Sequence, residues 1–274
     1  MSRLVLGINC VREALRAHGA RVLRVYLERG DSPALGGLER LATSVGAAVE
    51  RVPRDRLDRL ARGVLHQGAA ADAPDLALLP LDALVERPLV LALDELQDPH
   101  NFGAVVRSAV AIADAPVLWP EHASAPLSPT MFRSSAGAIE HARLVRIGSL
   151  RGALLDLAAQ GFQVIGLDGH AEKALHEVDL TRPTVLVLGS EGSGLRRGIK
   201  GATTALARLP MTGRFDSLNA STAAAIALYE WKRQQPNTSP PLRGAAPSDA
   251  ATPLDDAAVT TSDLDDGPAS DPGA

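Results

Sequence analysis

Three short polar stretches carry the residue types that could do chemistry. ELQDPHNFGAVVR (95–107) pairs Asn101 with Arg107, GSEGSGL (189–195) sets Glu191 among glycines, and LPMTGRFDSLNAS (209–221) presents Ser217, Asn219 and Ser221. Each combines a glycine turn with a few polar side chains, the arrangement of a loop that holds a ligand against its backbone. GSEGSG is neither the dinucleotide fingerprint nor a phosphate loop. Glu191 would repel a phosphate, so the turn suits a neutral or cationic ligand. Serine hydrolysis lacks its partners, because no GxSxG elbow is present and no His accompanies Ser217 or Ser221. Spacing alone supports a small-ligand transferase or a binding protein.

The stretches need elements that hold them together. LVLALD (89–94) is a continuous apolar run, the pattern of a parallel strand buried on both faces. Asn101 reads as the cap of a helix over Ala104–Ala113, with Arg107 one turn past Gly103 and able to reach back to the loop. Strands follow at APVLWP, ARLVRI, FQVIGLD, RPTVLVLG and ALARLPM, with helices between them. SLNAS (217–221) is an N-cap signal ahead of the apolar run Ala223–Leu228. Such alternation predicts an α/β fold with a parallel sheet covered on both faces. Ligands in such sheets sit at the C-terminal ends of the strands.

Residues 1–75 read as a small α/β unit, with helices around 11–18, 35–46 and 54–63 and strands at RVLRVYLERG and AAVERVP. His66-Gln67-Gly68 precedes an Ala-rich, strand-like segment, and His66 reads as a solvated loop side chain. Pro74, Pro80 and Pro88 mark residues 69–88 as linker sequence with one short helix; its boundary is set at 76–88, ahead of a second unit at 89–235. Residues 236–274 hold seven Pro, eight Ala and seven Asp without an aromatic, and read as a disordered acidic tail. That tail carries −6 of the chain's −4 net charge, which leaves +2 for residues 1–235. Only three of the 28 basic residues are Lys, and Arg is the better residue for phosphate forks and base stacking. A mildly basic folded part permits an RNA partner. The single cysteine, Cys10, excludes an internal disulfide framework and fits a reducing cytoplasm. No metal-ligand spacing and no apolar run of membrane-spanning length appear.

The three stretches together resemble the three motifs of the SpoU/TrmH family of RNA ribose 2′-O-methyltransferases, within the SPOUT superfamily. Asn101-x-Gly103-x-x-x-Arg107-x-Ala109 is similar to the first motif and Leu188-Gly189-Ser190-Glu191-Gly192-x-Gly194 to the second. Pro210-Met211-x-Gly213-x-x-x-Ser217-Leu218-Asn219-x-Ser221 is similar to the third. Gly7-Ile8-x-x-Val11-x-x-x-Leu15 and His66-Gln67-Gly68 resemble the substrate-binding domain of the subgroup that methylates a guanosine of large-subunit 23S rRNA. The resemblance covers about residues 3–235; Ala220 and Thr222 depart from it, standing where the family usually carries Val.

The resemblance implies a trefoil knot in the second domain, a homodimer with the site near the subunit interface, and S-adenosylmethionine as cofactor. It implies a cofactor wall from Gly189, Glu191, Gly192, Leu209, Met211, Leu218, Asn219 and Ser221, contacting the ligand largely through backbone. It implies a catalytic set of Arg107, Asn101, Glu191, Ser217 and Asn219. A guanidinium stays protonated in nearly all protein settings, so Arg107 is expected to clamp phosphate and stabilise charge on the 2′-oxygen rather than act as a base. Alternatives stay open: a tRNA ribose methylase or a resistance-type enzyme acting on another rRNA loop, and a non-catalytic RNA-binding assembly factor on the same fold.

Overall fold

A computed structural model describes residues 2–122, 124–125, 127–190, 192–214 and 217–236. Glu191 and the acidic tail beyond residue 236 lie outside the described residues.

The chain opens with β1 (Ser2–Leu6), α1 (Ile8–His18), β2 (Arg24–Glu28), α2 (Pro33–Ser44), β3 (Ala48–Val52), α3 (Arg54–Ala61) and β4 (Ala69–Pro74). The four strands form a mixed sheet in the order β1-β4-β2-β3, parallel only between β2 and β3. β4 is inner, and Ala69, Ala70 and Ala71 are fully buried. Small side chains there let α1 and α2 close on one face, around Val11, Leu15 and Leu38, and α3 on the other, around Leu57. Residues 69–74, assigned to a Pro-rich connecting stretch from sequence, therefore include the sheet's central strand. Pro74 is tolerated because β2 pairs β4 only as far as Asp72, which leaves that end of β4 flanked by β1 alone.

His66 departs from the sequence expectation of a solvated side chain, being 4% exposed. Its Nδ1 accepts the Gly68 N–H at 3.0 Å, which leaves the Nε2 proton to donate to Asp58 Oδ1 at 2.9 Å. Gln67 (φ 51°) and Gly68 (φ 79°) both turn left-handed beside it, and the ring holds that turn in shape.

The connecting segment 76–88 is fastened to the second sheet. Leu78 bridges Leu144, the Leu79 N–H donates to the Leu144 carbonyl at 2.8 Å, and a single 3₁₀ turn over Leu81–Leu84 buries Leu84 completely.

The second sheet contains β5 (Leu89–Leu93), β6 (Val117–Pro120), β7 (Leu144–Ile147), β8 (Gln163–Leu167), β9 (Thr184–Leu188) and β10 (Ala205–Ala207). It is parallel throughout, in the order β10-β8-β9-β5-β6-β7. β5 and β9 are central and buried along their whole length, as their unbroken apolar runs require. One face packs on α4 (Pro99–Ser108), α5 (Pro129–Ser134) and α8 (Ala220–Gln234). Phe102 and Trp119 meet there edge to face, with ring centroids 5.5 Å apart, a geometry worth about 0.5–1.5 kcal/mol beyond its buried area. The other face packs on α6 (Leu150–Ala159) and α7 (Arg197–Lys200). Strand order turns at the β9–β5 pair: the chain leaving β5 runs to β6 and β7, and the chain leaving β9 passes β8 to reach β10. That pair is the switch point at which open α/β sheets place a ligand crevice.

The helix predicted over Ala104–Ala113 begins earlier. Asp98 is its N-cap, accepting the His100 and Asn101 N–H groups, and Pro99 occupies the first helical position. Asn101 is thus inside the first turn instead of capping it, because Asp-Pro supplies both the cap acceptor and the preset φ. The helical path continues through Ala109–Ala113 in wider π turns.

The two sheets are joined by a buried polar junction. The Glu140 carboxylate, with its side chain wholly buried, pairs with Arg3 and lies 2.9 Å from His18 Nε2. Gly137 passes so close to α1 that a Cβ there would sit 2.9 Å from Glu13 Cβ. Burial pushes the Cys10 thiol up to about 11, and the nearby Glu140 adds to the shift.

Candidate active site at the strand ends

A cavity of about 340 Å³ opens at the C-terminal ends of β8 and β9, against the loop before α8. Leu167, Leu188, Leu209, Leu218, Ala220 and Ala223 make its apolar walls. Its size and lining are those of a small-ligand site.

One wall is backbone brought unusually near. The 189–195 loop leaves β9 and folds back on itself, with the Gly194 N–H donating to the Ser190 carbonyl at 3.0 Å. A Cβ on Gly189 would lie 2.1 Å from the Gly194 carbonyl carbon, so only glycine fits. Gly192 (φ 83°) and Gly194 (φ 63°) supply the left-handed turns that close the loop. Ser190 and Ser193 share a hydroxyl–hydroxyl hydrogen bond of 2.6 Å at its mouth.

The opposite wall carries charge. Asp168 follows β8 with its side chain 9% exposed, and it pairs with Lys200 at the end of α7. The Lys200 ammonium, and next the His170 N–H at 2.9 Å, hold the Asp168 carboxyl below its usual range. Asp168 is therefore ionised at neutral pH. Both residues line the cavity, and neither was singled out from sequence. The legible signal was the LDG sequence at 167–169, a further polar loop at a strand end.

The third polar stretch meets the first through one hydrogen bond. Asn219 is the N-cap of α8, its Oδ1 accepting the Ser221 N–H at 2.9 Å and the Thr222 N–H at 3.4 Å. Its Nδ2 donates to Asn101 Oδ1 at 2.9 Å. Cap and cross-link use different atoms of one amide, which fixes its orientation. Asn101 is 9% exposed, so the bond ties the start of α8 to the first turn of α4. Gly103, two residues on, lets α5 press against α4: a Cβ there would lie 1.9 Å from Ser134 Oγ and 2.5 Å from the Met131 carbonyl oxygen.

Of the residues expected in the cofactor wall, Gly189, Gly192, Leu209, Met211 and Leu218 line the cavity, as does Ser217 from the catalytic set. Asn219 and Ser221 stand behind it, occupied with the helix cap. Arg107 is not brought to this cavity. It is exposed, two turns along α4, without a hydrogen-bond or ion-pair partner among the described residues. A rise of about 1.5 Å per residue carries it away from the strand ends that hold the cavity. Among the described residues no group of three or more His, Cys, Asp or Glu could hold a metal ion, and no helix is long and apolar enough to cross a membrane.

The parallel sheet and its strand-end cavity define an α/β protein with a small-ligand site. The family model of the SpoU rRNA methylases matches residues 88–229, and the model described as RNA 2′-O ribose methyltransferase substrate binding matches residues 4–77. The chain belongs to the SpoU rRNA methylase family and is an RNA ribose 2′-O-methyltransferase. It is 39% identical over 239 residues to the 23S rRNA (guanosine-2′-O-)-methyltransferase RlmB of Pseudomonas aeruginosa, covering 84% of this chain and 96% of that one. An uncharacterized tRNA/rRNA methyltransferase of Mycolicibacterium smegmatis is 38% identical over 242 residues, 85% of this chain and 77% of that protein. The crystal structure of the SpoU methyltransferase AviRb from Streptomyces viridochromogenes superposes with a TM-score of 0.71 at 27% identity, over 85% of this chain and 89% of that one. A second structure of AviRb, at 26% identity and a TM-score of 0.68, is a complex with the cofactor AdoMet.

Proposed function

We propose that the protein methylates the ribose 2′-hydroxyl of a guanosine in 23S rRNA. The observation that carries this reading is the match along both modules to RlmB, together with the strand-end cavity the fold provides. S-adenosylmethionine is the methyl donor, and the cavity suits it. Apolar walls take an adenine, the close-packed backbone at Gly189 offers N–H and C=O groups, and the ionised Asp168 complements a ligand of net positive charge. When bound, the cofactor supplies an electrophilic methyl group on a sulfonium.

The chain's own residues have two tasks: to place the ribose oxygen in line, and to ease loss of its proton. Arg107, exposed and without a hydrogen-bond or ion-pair partner among the described residues, clamps the adjoining RNA phosphate and stabilises charge on the 2′-oxygen. Asn101, held by Asn219, orients the ribose, and Ser217 offers a hydroxyl at the cavity rim. Glu191, which lies outside the described residues, takes the site-organising role the family resemblance assigns it.

The protein works as a homodimer, and the site is completed across it. Thr222, Ile226 and Tyr229 form an exposed stripe on α8, with Ile226 43% and Tyr229 64% exposed. α8 packs beside α4, so the stripe and Arg107 belong to neighbouring helices. Arg107 of one copy then serves the cavity of the other. Membership of the SpoU family supports a trefoil knot in this domain. A single buried, neutral thiol at Cys10 supports a cytoplasmic setting. Residues 1–75 bind the RNA, 76–88 connect, and 89–235 carry the reaction.

The test is nucleotide-resolution mapping of 2′-O-methyl groups in rRNA from cells with and without the gene. Loss of one 23S guanosine methylation on deletion is the expected result. An unchanged 23S pattern with a lost tRNA methylation would replace this reading with the tRNA one.

A further inference from the structure

A second cavity, of about 410 Å³, lies at the ends of β5, β6 and β7, between the starts of α6 and α7. It is separated from the first by the 189–196 segment: Gly194 lines one cavity and Arg196 the other. None of the roles above uses it.

Arg196 is held in an unusual way. Its Nε and one terminal nitrogen bond Asp94 Oδ1 at 2.8 and 2.6 Å, and the other terminal nitrogen bonds Glu95 Oε1 at 2.7 Å. Its backbone N–H also donates to Asp94 Oδ2 at 3.0 Å. The Asp94 side chain is fully buried, yet that of Arg196 is 47% exposed. A guanidinium with all three nitrogens engaged at its edge has its flat face left for contact, and such planes stack unpaired RNA bases. The backbone keeps the arrangement under strain, since Glu95 sits at φ 58° without being glycine.

The rest of the cavity suits a phosphate. Arg151 and His122 line it, both exposed and without a hydrogen-bond or ion-pair partner among the described residues. They face the same space as the Arg196 plane.

We propose that this cavity holds an unpaired nucleotide of the substrate RNA other than the one methylated, with its base stacked on Arg196 and its phosphate on Arg151 and His122. The inference rests on the RNA substrate of the family but not on which nucleotide is modified. A rigid, preorganised platform beside the cofactor loop would set the register of the strand entering the reaction cavity.

The experiment measures 23S rRNA transcript binding across a range of salt, with cofactor affinity and steady-state methylation in the same preparations. The Arg151→Ala/His122→Ala double variant changes exposed, unpartnered residues and keeps the fold. It should raise KM for RNA about tenfold, a loss typical of removed hydrogen bonds to a charged group, with kcat within about twofold, since the chemistry is elsewhere. Its salt slope should fall by about 0.7 per lost phosphate contact, with cofactor affinity unchanged. Arg196→Lys keeps the charge against Asp94 but loses the plane, and should weaken RNA binding without changing the slope. Free guanosine 5′-monophosphate at millimolar concentration should compete weakly, because the site is built for a nucleotide within a strand. Wild-type RNA affinity and slope in the double variant would overturn the proposal, as would equal binding of the free nucleotide and the transcript. Methylation by the wild-type protein in the same assay keeps such a failure distinct from a failure of the enzymatic reading.

Discussion

Asn219 Nδ2 donates to Asn101 Oδ1 across 2.9 Å, joining residues 118 positions apart in sequence. The same Asn219 caps α8 through its Oδ1. One amide thus closes a helix and fixes a neighbour at the edge of the proposed site, and the two jobs can be separated. Asn219→Asp retains the cap acceptor and loses the donor to Asn101. Thermal stability should stay near wild type while methylation falls at least tenfold. Asn219→Ala loses both, and should also cost about 1 kcal/mol of stability. Equal activity of the Asp variant and wild type would show that the cross-link has no role in positioning Asn101.

In the proposed dimer, Arg107 is the residue whose proposed role depends most on assembly. Arg107→Ala should abolish methylation and leave S-adenosylmethionine affinity, read by calorimetry, within about twofold, because Arg107 does not line the cavity of its own chain. A large loss of cofactor affinity would contradict the clamp. Arg107→Lys keeps charge and loses the fork, and should retain a small fraction of the rate.

Two glycines should tolerate alanine poorly, for different reasons. Gly103→Ala drives a methyl into the Met131 carbonyl and should cost about 1–3 kcal/mol, seen as a lowered Tm. Gly189→Ala meets only backbone, at Gly194 and Leu195, and so cannot be relieved by a side-chain shift. It should remove cofactor binding as well as stability. Wild-type cofactor affinity in Gly189→Ala would place the cofactor elsewhere.

The Asp168–Lys200 pair sets an acid limb on stability. The folded-state pKa of Asp168 lies below its unfolded value because of Lys200 and the His170 N–H. Its contribution is therefore present above the unfolded pKa of about 3.9 and lost as pH falls through the folded one. Asp168→Asn should flatten the loss of Tm below about pH 4 and leave its slope between pH 6 and 8 unchanged. It should also weaken cofactor binding at neutral pH. An acid limb identical to wild type would assign that limb to other carboxylates.

Much of this molecule was legible in its sequence because the signals were local. The unbroken apolar run at β5 and the cap signal at Asn219 each state their structure within a few residues. So do the glycine turns at 192 and 194. What stayed hidden depends on partners far along the chain. Nothing in the 66–68 tripeptide announces that His66 is buried, and the Ala-rich β4 reads as part of a connection because small residues reveal packing only when helices close on them. Asp98-Pro99 is a local signal too, and it takes the cap from Asn101. Asp168 and Arg196 gained meaning only when β8, β9 and β5 placed them beside cavities. The position of Arg107, away from the cavity its motif suggests, is set by the rise of α4 and could not be seen in spacing.

The central claim is most directly tested by incubating the purified protein with S-adenosylmethionine carrying a labelled methyl group and, separately, with unmodified 23S rRNA and bulk tRNA, then digesting the product to nucleosides. The expected result is one labelled 2′-O-methylguanosine per 23S rRNA, with none in tRNA and none with Arg107→Ala. Label on a base, label in tRNA alone, or undiminished label with Arg107→Ala would contradict it.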